Sequence, residues 1–267
     1  MFLSDGSYRA AALVSGFVLC GSVSASVLDD FNSGILVADF LFDDVAGTTI
    51  DGAANSANPL ATFDVDGDSA DVVTNGSGQL DASLKANTAF GSNYVDLDTI
   101  DSGRVIALMD VTYSFDDQIF DPGQDEEFRL TLIANDPRST FVTAEIFFTR
   151  TSATEVTLYG NGVGTGASDT PDVILAGGAR VLTLLDVDLD ADVFELFYSF
   201  NDGATFTSAG TGTLDPTRGI ESVRMVLNED FSNDTLLIDR FAVAIIPEPA
   251  SVALLGLGGL MLGCRRA

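Results

Sequence analysis

The stretch VIALMDVTYSF, residues 105–115, decides the fold of this chain. Asp110, Thr112 and Ser114 separate the apolar residues of its second half. Successive side chains of a β-strand point to opposite faces of the sheet, so this period of two predicts a strand with one buried face. The residues predicted to face the core are Val105, Ala107, Met109, Val111, Tyr113 and Phe115.

The same period recurs along residues 26–246, and turn residues interrupt it about every eight to twelve positions. Asn201-Asp202-Gly203 has the composition of a hairpin turn, because Asp and Gly tolerate a positive φ. About twelve strands without Cys or Trp landmarks are typical of a β-sandwich rather than an immunoglobulin-like domain. We therefore predict an all-β fold, a two-sheet antiparallel β-sandwich of the jelly-roll type. The further predicted strands are 128–134, 141–150, 180–189, 193–200, 220–227 and 235–246.

The second half of the chain carries four stretches in order: Leu185–Asp190, Phe194–Phe200, Gly210-Thr211-Gly212 and Leu236–Phe241. Together they resemble the closing strands of concanavalin-like jelly rolls. Laminin-G-type domains and several polysaccharide-binding or polysaccharide-cleaving proteins share that fold. The resemblance implies the same fold here but no single function, because function depends on the site.

The end of the chain carries an ordered set of signals. Pro247-Glu248-Pro249 precedes an apolar run over residues 250–263, and Arg265 and Arg266 follow it. This order resembles the PEP-CTERM sorting signal of bacterial surface proteins. Members of that family are handled by exosortase, a membrane cysteine protease-transpeptidase, so the resemblance implies exosortase as a processing partner and Pro247, Glu248 and Pro249 as the processing region.

The physical character of residues 247–267 agrees with a transient anchor. A helix over the apolar run spans roughly 21 Å, short of the ~30 Å hydrocarbon core of a bilayer. Arg265 and Arg266 favour the cytoplasmic side, which places the residues before Pro247 on the other side. We predict a short transmembrane segment that holds the precursor at the inner membrane, before transfer to the cell surface or extracellular matrix. A buried C-terminal helix is the alternative.

The start of the chain predicts secretion. Arg9 precedes an apolar stretch over residues 10–20, and Val23-Ser24-Ala25 is a small-x-small cleavage pattern. We predict a signal peptide over residues 1–25, cleaved after Ala25, a β-sandwich domain over residues 26–246 and the sorting signal over residues 247–267.

The charge of the chain limits its partners. Its net charge is −28, from 12 basic and 40 acidic residues. Without the two terminal segments the domain keeps a net charge of about −29, which repels nucleic acid and anionic lipid surfaces. Solubility in salty surroundings explains the same composition.

Missing residue types exclude several chemistries. The chain has no His, which excludes His-based triads and His-ligated metals. Cys20 and Cys264 lie in the terminal segments, so residues 26–246 have no thiol chemistry. We therefore predict a non-enzymatic protein.

One run of carboxylates suggests catalysis as an alternative. Asp186, Asp188, Asp190 and Asp192 alternate as the acid and nucleophile of retaining glucanases do, but positions i and i+4 of a strand lie ~13 Å apart, against ~5–5.5 Å in those enzymes. A solvated strand face that ends in a turn explains the same residues. A Tyr/Arg lyase pair also stays open, drawn from Tyr113, Tyr159, Tyr198, Arg129 and Arg150.

Two groups of acidic residues predict calcium binding. Asp64, Asp66 and Asp68 crowd hard oxygen ligands into one loop, although the spacing is not that of an EF-hand. Asp29 or Asp30 near the first strand could share an ion with Asp239 in the last. An acidic, solvated turn explains the first group equally.

Two functions follow. The first is an exported surface or matrix protein associated with exopolysaccharide or biofilm, non-catalytic, with a sugar- or calcium-binding sandwich. The second is a secreted polysaccharide lyase or glycoside hydrolase on the same fold.

Overall fold

The structure is a computed structural model that describes residues 26–67, 72–83, 91–115, 127–134, 141–150, 152, 155–228 and 234–247. The predicted signal peptide with Ala25 lies outside these residues, as do Glu248, Pro249, Arg265 and Arg266 of the predicted sorting signal. Among the described residues, no helix is long and apolar enough to span a membrane.

Within the described part of the chain, β-strands account for nearly all the regular structure, and one α-helix, α1 (Ser26–Ser33), precedes them. The strands in chain order are β1 (Ile35–Phe40), β2 (Asp64–Gly67), β3 (Val73–Thr74), β4 (Leu80–Asp81), β5 (Gly91–Ile100), β6 (Arg104–Phe115), β7 (Glu127–Ile133), β8 (Val142–Arg150), β9 (Glu155–Gly162), β10 (Val173–Ala176), β11 (Arg180–Asp188), β12 (Val193–Ser199), β13 (Thr207–Thr213), β14 (Ile220–Asn228) and β15 (Asp234–Ile246).

These strands form two antiparallel sheets. The eight-stranded sheet has the order β13-β12-β11-β6-β15-β4-β3, and β1 also pairs with β15. The seven-stranded sheet has the order β10-β9-β8-β7-β14-β5-β2. The core lies between them, since the inward side chains of both sheets form one buried cluster. The predicted two-sheet antiparallel β-sandwich is confirmed.

The stretch that decides the fold is β6, and its odd positions from Val105 to Tyr113 lie in the core as predicted. Its even positions Ile106 and Leu108 are buried too, on the outer face of the eight-stranded sheet. Helix α1 packs there through Val27 and Phe31, which are 3% and 1% exposed. The sequence reasoning missed this helix, although two apolar residues four positions apart fall on one helical face.

An ion-pair network joins α1 to the sheet. Arg104 begins β6, and its Nε and Nη2 each lie 2.6 Å from a carboxylate oxygen of Asp186 on β11. Its Nη1 donates to Asp30 of α1 at 2.7 Å. Hydrogen bonding to Asp186 is the main reason that the pKa of Arg104 is raised. Arg104 lies opposite Ile246, so the helix is held beside Pro247, where the predicted sorting signal begins.

The edge strand β13 approaches the segment between β9 and β10, where the two sheets meet. In β13, Gly212 leaves no room for a side chain, because an added methyl carbon would overlap the ring of Phe194 and lie 2.5 Å from the carbonyl oxygen of Ser168. The backbone groups of Ser168 and Thr213 pair across this edge. In the predicted hairpin turn, Asp202 and Gly203 have φ of 55° and 78°, which confirms the turn.

Candidate functional site

The outer face of the seven-stranded sheet carries the candidate site. Leu130 on β7, Ile146 on β8 and Leu158 on β9 point inward to the core. The residues that come directly before and after each of them in its strand therefore point outward. Directly opposite residues in an antiparallel pair share a face of the sheet. The strand register therefore identifies which outward side chains meet.

One row of side chains crosses five strands of this face. Arg224 on β14 lies opposite both Tyr94 on β5 and Thr131 on β7. Thr131 lies opposite Glu145 on β8, which lies opposite Asn161 on β9. Asp64 on β2 extends the same row, opposite Tyr94.

Glu145 is the anion at the centre of this row. It is 2% exposed, and each of its oxygens accepts a hydrogen bond. The hydroxyl of Thr131 donates to Oε2 at 2.8 Å, and Nδ2 of Asn161 donates to Oε1 at 2.9 Å. Arg129 supplies the countercharge, with Nη1 at 3.8 Å from Oε2. This arrangement fixes the orientation of the amide of Asn161 and the hydroxyl of Thr131.

The neighbouring row is aromatic. Phe147 on β8 lies opposite Tyr159 on β9 and Arg129 on β7. The rings of Phe147 and Tyr159 stack, with centroids 4.9 Å apart and planes inclined by 11°. The guanidinium carbon of Arg129 lies 4.6 Å from the centroid of Phe147. Tyr159, Asn161 and Arg129 are half-buried, so the aromatic and polar rows reach solvent together toward β9.

We call these seven residues of the two rows the polar–aromatic band: Tyr94, Arg224, Thr131, Glu145, Asn161, Phe147 and Tyr159, with Arg129 joining the rows. The band joins a stacked aromatic pair to a guanidinium, an amide and a carboxylate held in fixed positions. The half-buried ring of Tyr159 can pack against an apolar ring face, and the polar groups beside it can hydrogen-bond to hydroxyl groups.

The predicted lyase residues are only partly brought together. Arg129 and Tyr159 both contact Phe147, as the two rows require. Tyr113 lies in the core between the sheets, and Tyr198 lies on β12 of the other sheet. Arg150 is 3% exposed, and its Nε donates to the carbonyl oxygen of Ser152 at 3.2 Å.

The predicted carboxylate run on β11 has structural partners. Asp186 pairs with Arg104, and Oδ1 of Asp188 accepts hydrogen bonds from two backbone N–H groups of the turn that follows. Asp190 accepts a backbone N–H from the loop before β6, and Asp192 lies in the turn with a φ of 55°. These contacts agree with a strand face that ends in a turn.

The first predicted calcium group is not placed as a loop. Asp64 and Asp66 lie in β2, which pairs with β5, so this part of the group is a strand. The expectation of a loop there was wrong for these two residues, because their backbones pair with Tyr94 and Ser92 of β5 as part of the sheet. Asp68 lies outside the described residues.

The second predicted calcium group is divided between the end and the middle of β15. Asp30 bonds to Arg104, which lies opposite Ile246, and Asp29 is its neighbour on α1. Asp239 lies seven residues before Ile246, a separation of roughly 23 Å along a strand. The structure therefore corrects this pairing. Among the described residues, no group of three or more Asp, Glu, His or Cys side chains could hold a metal ion.

Asp239 has its own surroundings near the middle of β15. Oδ1 accepts a hydrogen bond from Gln79 at 3.2 Å, and Oδ2 lies 3.9 Å from Nε of Arg180. The pKa of Asp239 is raised, mainly by burial and to a lesser extent by the negative charge of Asp110. The hydrogen bond from Gln79 and the positive charge of Arg180 lower this pKa but do not cancel the rise.

Sequence reasoning missed most of the band. Glu145, Asn161, Thr131, Tyr94 and Arg224 were not candidates, because each comes from a different strand and the cross-strand pairing that joins them is not visible in the sequence. A usable signal is present in β8, where Glu145 and Phe147 alternate with buried apolar residues. A carboxylate and an aromatic ring on the same outward face of β8 indicate that this face makes specific contacts and is not simply solvated.

Comparison with known proteins identifies the fold. No family model matches the chain, and no curated protein matches its sequence. Among solved structures, the exoplasmic/lumenal domain of VIP36 in its Ca²⁺/Man2-bound form aligns with a TM-score of 0.54 at 9% identity, over 81% of this chain and 93% of that one. The CBM2 module of the evolved Dit of Lactobacillus casei BL23 phage J-1 aligns with a TM-score of 0.52 at 10% identity, over 81% of this chain and 98% of that one. The chain therefore has a lectin-like β-sandwich fold, as the predicted resemblance to concanavalin-like jelly rolls implied.

Proposed function

We propose that this chain is an exported, non-catalytic carbohydrate-binding protein whose site is the polar–aromatic band. The observation that carries the proposal is the joining of the stacked Phe147–Tyr159 pair to Glu145 through Arg129. The lectin-like fold of the chain is compatible with this function without establishing it.

The chemistry of a sugar ring suits this surface. A pyranose has an apolar face of C–H groups, which pack against an aromatic ring, and a rim of hydroxyls, which both donate and accept hydrogen bonds. Tyr159 supplies the ring and its hydroxyl, Asn161 an amide and Arg129 a fork of donors. Because Glu145 fixes Asn161 and Arg129 before the ligand arrives, less side-chain freedom is lost on binding.

The carboxylates of this face do not favour hydrolysis. Glycoside hydrolases use two carboxyl groups, ~5–5.5 Å or ~6.5–9.5 Å apart. Asp64 lies four strands from Glu145, a separation of ~19 Å, and Asp96 lies three strands away, ~14 Å. Both oxygens of Glu145 are also occupied by Thr131 and Asn161. One observation favours the lyase alternative, namely that Arg129 and Tyr159 flank the same ring.

The binding experiment uses the full chain, purified in mild detergent, on an array of bacterial and plant polysaccharides. A Tyr159→Ala variant should weaken binding at least tenfold, which corresponds to about 1.4 kcal/mol. Tyr198→Ala is the matched control, since Tyr198 is also half-buried and packs against a phenylalanine, but on the other sheet. Equal loss in both variants, or none in either, would contradict the proposed site.

The same preparation tests the alternative. A lyase produces unsaturated sugar ends, which absorb ultraviolet light. A hydrolase produces new reducing ends. We expect neither product from the bound polysaccharide. Product that accumulates in the wild type and disappears in Tyr159→Ala would replace the binding proposal with the lyase.

The terminal segments supply the proposed location. The sequence features of residues 1–25 and 247–267 support export, anchoring at the inner membrane and processing by exosortase near Pro247-Glu248-Pro249. The domain would then act at the cell surface or in the exopolysaccharide matrix of a biofilm. Pro247 directly follows β15, so processing there would leave the sandwich with all its strands.

Calcium is proposed as a stabilising ion of this acidic domain rather than as part of the band. A specific site should raise the melting temperature more with calcium than with magnesium, since multi-oxygen sites suit the larger ion. Equal stabilisation by both ions at the same millimolar concentration would indicate charge screening alone.

A further inference from the structure

Arg224 differs from the arginines of the two sheets that lie near a carboxylate. It is 8% exposed, and its Nε has no hydrogen-bond partner among the described residues. Among the described residues no carboxylate pairs with it, and its one contact of electrostatic character is the ring of Tyr94, 5.7 Å from the guanidinium carbon. The arginines with a carboxylate within 4 Å are Arg104, Arg129, Arg180, Arg218 and Arg240.

This contrast is informative in so acidic a protein. The chain has 40 acidic and 12 basic residues, so a carboxylate partner is the commonest neighbour that a guanidinium could find. A buried charge without a partner is unfavourable, because it loses hydration and gains no ion pair. Contact with one aromatic ring offsets only part of that loss.

Two further donors near Arg224 also lack partners in the described part of the chain. Ser222 and Ser92 are 0% and 1% exposed, and neither hydroxyl hydrogen-bonds to a described residue. Ser222 precedes Arg224 by two positions on β14, so both point to the outer face. Ser92 lies opposite Val226, on the other side of Arg224 along the strands. We call Arg224, Ser222 and Ser92 the donor strip.

We propose that the donor strip binds the oxyanion substituent of an acidic sugar, the carboxylate of a uronic acid or a sugar sulfate, at Arg224 and one of the two hydroxyls that lie on either side of it along the strands. Both groups accept several hydrogen bonds and supply the negative charge that would pair with Arg224. Arg224 also belongs to the polar–aromatic band, in which it lies opposite Thr131. The proposal rests on the proposed carbohydrate-binding function and narrows its ligands to anionic polysaccharides.

The charge of the protein gives this recognition a particular form. With a net charge of −28, the chain repels an anionic polysaccharide at long range. Attraction therefore comes from the short-range bonds of the donor strip, which are weakly screened because the strip is buried.

The test compares three probes on the full chain: a uronic-acid oligosaccharide, a neutral oligosaccharide of the same length and linkage, and inorganic sulfate. The wild type should bind the uronic-acid probe at least tenfold more tightly than the neutral one. Arg224→Met should bind the two probes equally. Arg180→Met is the matched control, because Arg180 lies on the other sheet and already pairs with Asp110; it should keep the wild-type preference.

Melting temperatures separate a binding role from a structural one. Without ligand, Arg224→Met should melt at or above the wild-type temperature, because an apolar side chain of similar length replaces an unpaired buried charge. Sulfate should raise the melting temperature of the wild type more than that of Arg224→Met. A lower melting temperature in Arg224→Met, or equal stabilisation of both proteins by sulfate, would overturn the proposal.

Ser222→Ala provides a second variant that changes no charge. It should reduce the preference for the uronic-acid probe by several fold and leave folding intact. Equal binding of both probes by the wild type would overturn the anion site while leaving carbohydrate binding in place. Binding of neither probe, nor of any array polysaccharide, would contradict the proposed function itself.

Discussion

Replacing Phe31 by Ala tests whether α1 is part of the sandwich. Phe31 is 1% exposed and packs with Ile106 and Leu108 on the outer face of the eight-stranded sheet. A phenylalanine buries about 150–250 Å². At ~25 cal/mol per Å² this corresponds to about 4 kcal/mol or somewhat more, within the usual range for a buried Phe→Ala change.

The expected effect on thermal unfolding follows from the size of the domain. For a domain of about 200 residues, each kcal/mol shifts the melting temperature by about 2–4 °C, so Phe31→Ala should lower it by roughly 10 °C. Differential scanning calorimetry or circular dichroism measures this directly. Leu60→Ala is the control, because Leu60 is 93% exposed and its removal should change little.

The result that would refute the reasoning is a shift below about 2 °C for Phe31→Ala, since a loss so small means that the side chain is not buried in the folded protein. Helix α1 would then not be packed on the sheet, and another segment of the chain would have to bury Ile106 and Leu108.

Three further predictions concern the edge, the titration and the terminus. Gly212→Ala should destabilise the domain by about 1–3 kcal/mol in urea unfolding, through overlap with Phe194, whereas Gly52→Ala should cost clearly less, because the closest atom to its added carbon would be a threonine methyl at 3.2 Å. The raised pKa of Asp239 means that the folded protein binds this proton more tightly than the unfolded chain, so stability is lost as pH rises; Asp239→Asn should therefore gain more stability over the wild type at pH 7 than near pH 3. Ala-Ala-Ala in place of Pro247-Glu248-Pro249 should leave full-length precursor in the inner membrane by mass spectrometry, and full-length wild-type protein in the matrix would contradict the sorting proposal.

The strands that the sequence predicted share one property. In β6 and β8 the apolar residues that build the core are dense, so the period is easy to see. By contrast β13, with the sequence TSAGTGT, has almost no apolar residue to mark the period. Its strand conformation depends on pairing with β12 and on the close approach at Gly212, which only the tertiary structure provides.

The candidate site was less accessible to sequence reasoning for a related reason. The aspartates at the end of β11 and in the turn after it were catalytic candidates because they alternate within a short stretch of the chain. In the structure their carboxylates instead pair with Arg104 and with backbone N–H groups. Glu145 and Arg224, by contrast, are isolated polar residues within apolar strands. Their significance comes from the cross-strand register, which joins residues up to about 130 positions apart.

The central claim, that carbohydrate binds on the outer face of the seven-stranded sheet, is tested most directly by NMR. Amide and side-chain resonances of the full chain are recorded while the best-binding oligosaccharide of the array is added. The account predicts that the largest shifts occur in Arg129, Tyr159, Asn161 and their neighbours on β7, β8 and β9. Shifts confined to the eight-stranded sheet, or to the turn after β11, would contradict it.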